Sequence, residues 1–305
     1  MRITKPELFL FILIVASATL LLATHAWLAV AGAHASIYPE MTETNPQGLA
    51  PFAAPKIQAK AAFVYDVREK KVLYAQNEAA SLPLASLTKL MTALVAAKRL
   101  SATTTVTIRR ADLAQDGDNG LYLGERWQLS TLLDFTLIAS SNDGAHAIAA
   151  VGNEKDSATD FVSAMNQEAA RLGFASMSFS NPTGLDVDAS TGGAYGSAQD
   201  MAGLFMYIEA HYPNLLEATS YDQMRFVSLD GFKHIAHNTD TIVNGIPGLI
   251  ASKTGYTDLA GGNLVVEFDT GIEHPIVVAV LGSTQESRFS DVQQLVDAAI
   301  AYAGQ

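Results

Sequence analysis

Two strand-turn-strand patterns stand at opposite ends of this 305-residue chain, and they limit what it can fold into. "AAFVYDVREKKVLYAQN", residues 61–77, has two apolar runs around a charged turn at Arg68, Glu69 and Lys70. "GNLVVEFDTGIEHPIVVAVLGS", residues 262–283, repeats the pattern around a Thr-Gly turn. Hairpin connections make such strands antiparallel. The two ends can share one sheet only if everything between them is an insertion. That insertion reads as helical: "LSTLLDFTLIAS", "DGAHAIAAVGN" and "ATDFVSAMNQEAARLGF" carry apolar residues at helical spacing, with Gly173 placed to cap the last. The closing stretch "SDVQQLVDAAIAYA" sets Val292, Leu295, Val296 and Ala299 on one stripe suited to covering a sheet. The expected fold is α/β (α+β): an antiparallel sheet flanked by helices, an inserted mainly helical subdomain, and a cleft between the two.

Bulk properties narrow the function. With 49% hydrophobic and 16% charged residues the chain can bury one large core. A net charge of −12 without any Lys/Arg cluster excludes an electrostatic nucleic-acid binder. The absence of cysteine removes disulfides, thiolate catalysis and cysteine-ligated zinc together. Arg2 and Lys5 precede a largely apolar run over residues 8–33, and Ala33-His34-Ala35 has the form of an A-x-A cleavage site. Residues 1–35 therefore read as an export segment, either a signal peptide or a retained membrane anchor, and the rest as extracytoplasmic, in the periplasm or at the cell surface. Residues 36–56 hold Pro39, Pro46, Pro51 and Pro55 without periodicity, a tether. The folded domain is expected over residues 57–305.

Within "PLASLTKLMTALVAAKRL", residues 83–100, Lys89 stands among Leu87, Leu90, Met91 and Leu94, three residues after Ser86. On a helix the amine at i+3 reaches the hydroxyl at i. A lysine takes a proton from serine only when burial or another cation lowers its pKa. A serine at a first helical turn also offers its own N–H to a developing oxyanion. Alone, the pair reads more readily as a capping serine followed by a snorkelling lysine. Two further elements add weight. "IASSNDGAHAIA" puts Ser140, Ser141 and Asn142 at a break between helices, where an ordinary N-cap would also fit. "LIASKTGYTDLAGGNLVV" puts Lys253, Thr254 and Gly255 towards the end of an apolar strand, the glycine allowing close backbone approach.

SxxK, SxN and KTG in this order are the signature of penicillin-binding proteins and class A β-lactamases. The sequence resembles the D-alanyl-D-alanine carboxypeptidases, the low-molecular-mass penicillin-binding proteins of serine peptidase family S11. The likeness runs over residues 57–288 and includes "MNQEAARLGF", "FSNPTGLD", "YGSAQDMAGLF" and "HNTD". It implies Ser86 as acylated nucleophile, Lys89 as general base, Ser140 as proton relay and Asn142 as holder of the substrate amide. It further implies Lys253, Thr254 and Gly255 at the substrate's terminal carboxylate, and an oxyanion hole from the N–H groups of Ser86 and Tyr256. The implied partners are peptidoglycan stem peptides ending in D-Ala-D-Ala, β-lactams as covalent inhibitors, and the membrane if the N-terminal segment is retained; no cofactor is implied. Residues 186–194, "DVDASTGGA", depart from the family pattern beside the site.

Three rival readings remain. A D,D-endopeptidase would use the same residues. A class A β-lactamase needs an ExxxN glutamate between SxN and KTG, but Glu154, Glu168, Glu209 and Glu217 are followed four residues on by Ala158, Leu172, Pro213 and Tyr221. An inactive peptidoglycan-binding homologue would not need every chemical position, and all are present. Metal chemistry is disfavoured: His234 and His237 fall on opposite faces of a strand, and Trp127 stands where a calcium loop beginning at Asp116 needs glutamate.

Overall fold

The computed structural model describes residues 52–304 except 118, 119 and 272. The export segment of residues 1–35 and the tether up to residue 51 lie outside the described residues. Among the described residues no helix is long and apolar enough to cross a membrane.

Strands β1 (Ala61–Asp66) and β2 (Lys71–Gln76) form the first hairpin. Five helices follow: α1 (Thr88–Arg99), α2 (Leu129–Ile138), α3 (Asn142–Lys155), α4 (Phe161–Leu172) and α5 (Ala198–His211). Strands β3 (Leu249–Thr257), β4 (Gly261–Asp269) and β5 (Pro275–Ser283) then lead into α6 (Ser287–Ala303). The order across the sheet is β3-β4-β5-β1-β2, antiparallel throughout, so both ends of the chain meet at its centre, where Ala61 pairs with Leu281.

Side chains alternate across a strand, so each face of the sheet collects one set. Ala62, Val64, Leu264, Val266, Val278 and Val280 face α6, whose Val292, Leu295, Val296 and Ala299 are fully buried against them. Sealing one such aliphatic side chain contributes roughly 1.5–3 kcal/mol, which makes this stripe the main anchor of α6. The other face is covered by α5, which touches β1, β4 and β5. Phe52 packs on the α6 face, its ring 6.1 Å from Tyr74 and 6.3 Å from Tyr302. Gly173 ends α4 in the left-handed conformation at φ 79°, as its sequence position predicts.

A hairpin of Gln223–Val227 and Lys233–His237 lies over α2, burying Phe226 and His234 and exposing Ile235 and Val227. His234 Nε2 lies 2.6 Å from Glu125 Oε1 beneath the ring of Trp127, while His237 points the other way and is exposed. Trp127 is fully buried, a core anchor.

Candidate active site

Ser86 sits in a single 3-10 turn, Ala85–Leu87, immediately before α1, and Lys89 is the second residue of that helix. The turn starts from a strained residue: Ala85 has φ 49°, outside the range that L-residues favour. Three contacts hold it there. Asn263 of β4, fully buried, donates through Nδ2 to the carbonyls of Pro83 and Leu84 at 3.0 Å each. Its Oδ1 accepts from Gly282 N at 2.8 Å, so one side chain ties the turn to two strands. Gly255 approaches so closely that a Cβ there would stand 2.8 Å from the Leu84 oxygen, which is why the third residue of KTG has no side chain.

Lys89 is 0% exposed, and its Nζ lies 2.8 Å from Ser86 Oγ, 2.7 Å from Asn142 Oδ1 and 2.8 Å from the Thr183 carbonyl. Burial, and secondarily the charge of Lys253, hold its pKa well below the ordinary lysine value. A neutral amine has two N–H donors and one lone pair. Asn142 Oδ1 and the Thr183 carbonyl can only accept, so they take the two hydrogens and leave the lone pair facing the Ser86 hydroxyl. The Asn142 amide is oriented by its own Nδ2, which donates to the Asp116 carbonyl at 2.6 Å.

The Thr183 carbonyl is placed by the "NPTGLD" loop. Asn181 Oδ1 accepts from Thr183 N, Thr183 Oγ1 and Gly184 N, while its Nδ2 donates to the Leu185 carbonyl at 2.8 Å. Gly184, at φ 82°, passes the Ala85 carbonyl so tightly that no other residue fits. Thr183 carried no signal in the sequence, because a main-chain oxygen has no residue type.

Ser140 occupies the break between α2 and α3 at φ 57°, and Ser141 N-caps α3 by accepting from Gly144 N at 3.0 Å. The SxN segment thus is a cap, and the cap turns Ser140 outward. Lys253 Nζ, in β3, donates to Ser140 Oγ and to the Thr254 carbonyl, each at 2.9 Å. Lys253 is buried like Lys89, and its pKa falls to about 7 through burial and the nearby Arg288, opposed by Asp240. Arg288 donates from Nη1 to the Gly255 carbonyl at 2.9 Å. Thr254 Oγ1 touches Thr239 Oγ1. Tyr256 is 41% exposed at the rim, where Asp186 accepts from Thr257 Oγ1 at 3.0 Å and so latches the 186–194 segment to the end of β3.

Ser86, Lys89, Ser140, Asn142, Lys253, Thr254 and Gly255 therefore come together from the turn before α1, α1 itself, the α2–α3 break and β3, with the more exposed Tyr256 beside them. Arg288, Asp240 and Thr239 join them without having been singled out in the sequence. Chemically the site offers a hydroxyl facing an amine whose pKa is held well below the ordinary lysine value, a second hydroxyl joined to a titrating cation, and no group of three or more metal-ligating side chains among the described residues.

A family model described as peptidase S11, D-alanyl-D-alanine carboxypeptidase, matches residues 49–285. The D-alanyl-D-alanine carboxypeptidase DacF of Bacillus subtilis is 31% identical over 80% of this chain, which spans 62% of that protein's length. The D-alanyl-D-alanine carboxypeptidase DacB2 of Mycobacterium tuberculosis is 30% identical, with 80% of this chain and 81% of that protein covered. Among solved structures, penicillin-binding protein D2 of Listeria monocytogenes in its ampicillin-bound form superposes with a TM-score of 0.69 at 29% identity, covering 80% of this chain and 98% of that one.

Proposed function

Because the chain belongs to the D-alanyl-D-alanine carboxypeptidase family, peptidase S11, we propose that it removes the terminal D-alanine from peptidoglycan stem pentapeptides through an acyl-enzyme on Ser86. The observation that carries this reading is the set of three oxygens around Lys89 Nζ, two of them acceptor-only and the third the Ser86 hydroxyl.

The Ser86 proton passes to the lone pair of Lys89 as Oγ bonds to the carbonyl carbon of the penultimate D-alanine. Negative charge develops on the carbonyl oxygen, within reach of the N–H groups of Ser86 and Tyr256. The C–N bond then breaks, the leaving amine taking a proton through Ser140, whose hydroxyl is joined to Lys253. Free D-alanine departs and an ester remains on Ser86. Water enters along the path the amine left by, gives up a proton to the same groups in reverse, and releases the shortened peptide. Lys253 and Thr254 hold the departing residue's carboxylate, and Asn142 holds the peptide amide. A β-lactam amide would take the same route as far as the ester; the similar Listeria protein has been solved in an ampicillin-bound form. This chemistry belongs outside the cytoplasm, with residues 1–35 as exporter or anchor.

A labelled penicillin tests the reading: the full chain should take a covalent label and Ser86→Ala none, and absence of label on both would remove it. Incubation with pentapeptide and with cross-linked muropeptide separates carboxypeptidase from endopeptidase. Release of free D-alanine from the pentapeptide is expected; cleavage of the cross-link alone would transfer the reading to the endopeptidase.

A further inference from the structure

Thr239 makes a contact that the reaction as written does not use. It follows the strand Lys233–His237, and its hydroxyl meets that of Thr254, a residue 3% exposed in β3. Both neighbours of Thr239 are pinned. Asn238 Nδ2 donates to the carbonyls of Thr219 at 2.8 Å and Tyr221 at 2.9 Å, and its Oδ1 accepts from Asp240 N at 2.9 Å. Asp240, 2% exposed, accepts from Ile242 N at 3.0 Å. The backbone on either side of Thr239 is therefore fixed, and the hydroxyl pair is a built feature of the cleft.

Each hydroxyl has one hydrogen, so only one of the two can donate to the other. A carboxylate accepts and never donates. If Thr254 gives its hydrogen to Thr239, it faces the substrate with lone pairs and repels that anion; if Thr239 donates to Thr254, the Thr254 hydrogen is free to point at it. We propose that Thr239 is a positioning residue for the substrate's terminal carboxylate: its O–H donates to Thr254 Oγ1, commits the Thr254 hydrogen to the anion, and thereby biases the enzyme towards peptides ending in a free carboxylate. Each bond in such a chain polarises the next, so the Thr254 donor is strengthened as well as aimed. The inference rests on Thr254 as a carboxylate ligand, and the experiment separates the two.

Steady-state kinetics of the full chain would compare a D-Ala-D-Ala peptide with the same peptide amidated at its C-terminus, which presents no carboxylate. Thr239→Val, which keeps the shape and removes the hydroxyl, should raise KM for the free acid about three- to tenfold with kcat little changed, and lower the acid-to-amide ratio of kcat/KM by the same factor, about the net worth of one hydrogen bond. Thr239→Ser should restore the ratio. Thr239→Ala, with nothing to clash, serves if the valine variant does not fold. A Thr254→Val variant that keeps the wild-type ratio would remove the carboxylate reading itself. A Thr254→Val variant that loses the preference, beside Thr239→Val and Thr239→Ala variants that retain it, would overturn the Thr239 inference alone. So would an equal loss on both substrates, the mark of a purely structural role.

Discussion

Lys89 and Lys253 are both sealed from solvent and both hydrogen-bonded to a serine hydroxyl, yet their surroundings assign them different work. Lys89 is met by neutral acceptors, and the charge of Lys253 repels its own, so desolvation and repulsion push the same way. Lys253 is flanked by Arg288, which opposes its charge, and by Asp240, which supports it, leaving it near the midpoint of its titration at about pH 7. Burial lowers both pKa values, and Asp240 supports the charge of Lys253 against it.

Removing the uncharged amine should have the largest effect. Lys89→Ala should lower the rate of penicillin acylation about 10²–10⁴-fold, the usual contribution of a positioned base, and Lys89→Arg should be no better because a guanidinium stays protonated. A stopped-flow acylation rate within tenfold of wild type for either variant would erase the distinction between the two lysines.

Lys253→Met comes next. Loss of a charge-assisted contact worth about 1.5–3 kcal/mol should cost kcat/KM about ten- to a hundredfold. Its signature is the pH profile. Removal of the like charge lets the Lys89 pKa rise, so the acid limb of acylation should move to higher pH; a stationary limb would mean the two amines do not sense one another.

Asp240→Asn should act in the opposite direction and more weakly. Without its carboxylate the Lys253 pKa falls further below about 7, so KM for D-Ala-D-Ala peptides should begin to climb at lower pH than in the wild type. At neutral pH the change should be about two- to fivefold, the outcome of a shift of under one pKa unit. A KM profile that did not move would detach Asp240 from the cation.

The smallest effect concerns a buried carboxyl with no such support. Glu267 of β4 is raised to about 8 by burial and by Glu209, and its Oε2 has no hydrogen-bond partner. Its folded pKa lies above the unfolded one, so the folded chain holds the extra proton between about pH 4.5 and 8, and its contribution to stability is full below that window and lost as pH rises through about 8. Glu267→Gln should therefore raise the thermal midpoint at pH 8.5 by a few degrees and change it little at pH 5. Equal midpoint shifts at both pH values would deny that this carboxyl ionises on unfolding.

The sheet, its covering helix and the three motifs were legible because each depends on spacing within one segment. Val292, Leu295, Val296 and Ala299 announce a buried stripe wherever the helix lands, and a lysine three residues after a serine announces a contact. The supports were not legible. Asn263 reaches back 180 residues to Pro83, and Arg288 reaches 33 residues to Gly255; neither spacing has a period to detect. The left-handed Ser140 is equally silent in the sequence, since that conformation usually calls for glycine and only the packed α2–α3 corner imposes it on serine. Thr183 acts through an atom that every residue possesses.

The pairing of Ala61 with Leu281 sets a schedule. β1 cannot pair with β5 before residues 275–283 have been made, and until β4 and β5 lie side by side Asn263 cannot bridge from Gly282 to the carbonyls ahead of Ser86. Ser86, Lys89 and Ser140 are therefore synthesised well before the strands that hold them in register, and they come into alignment only once β4 and β5 have followed.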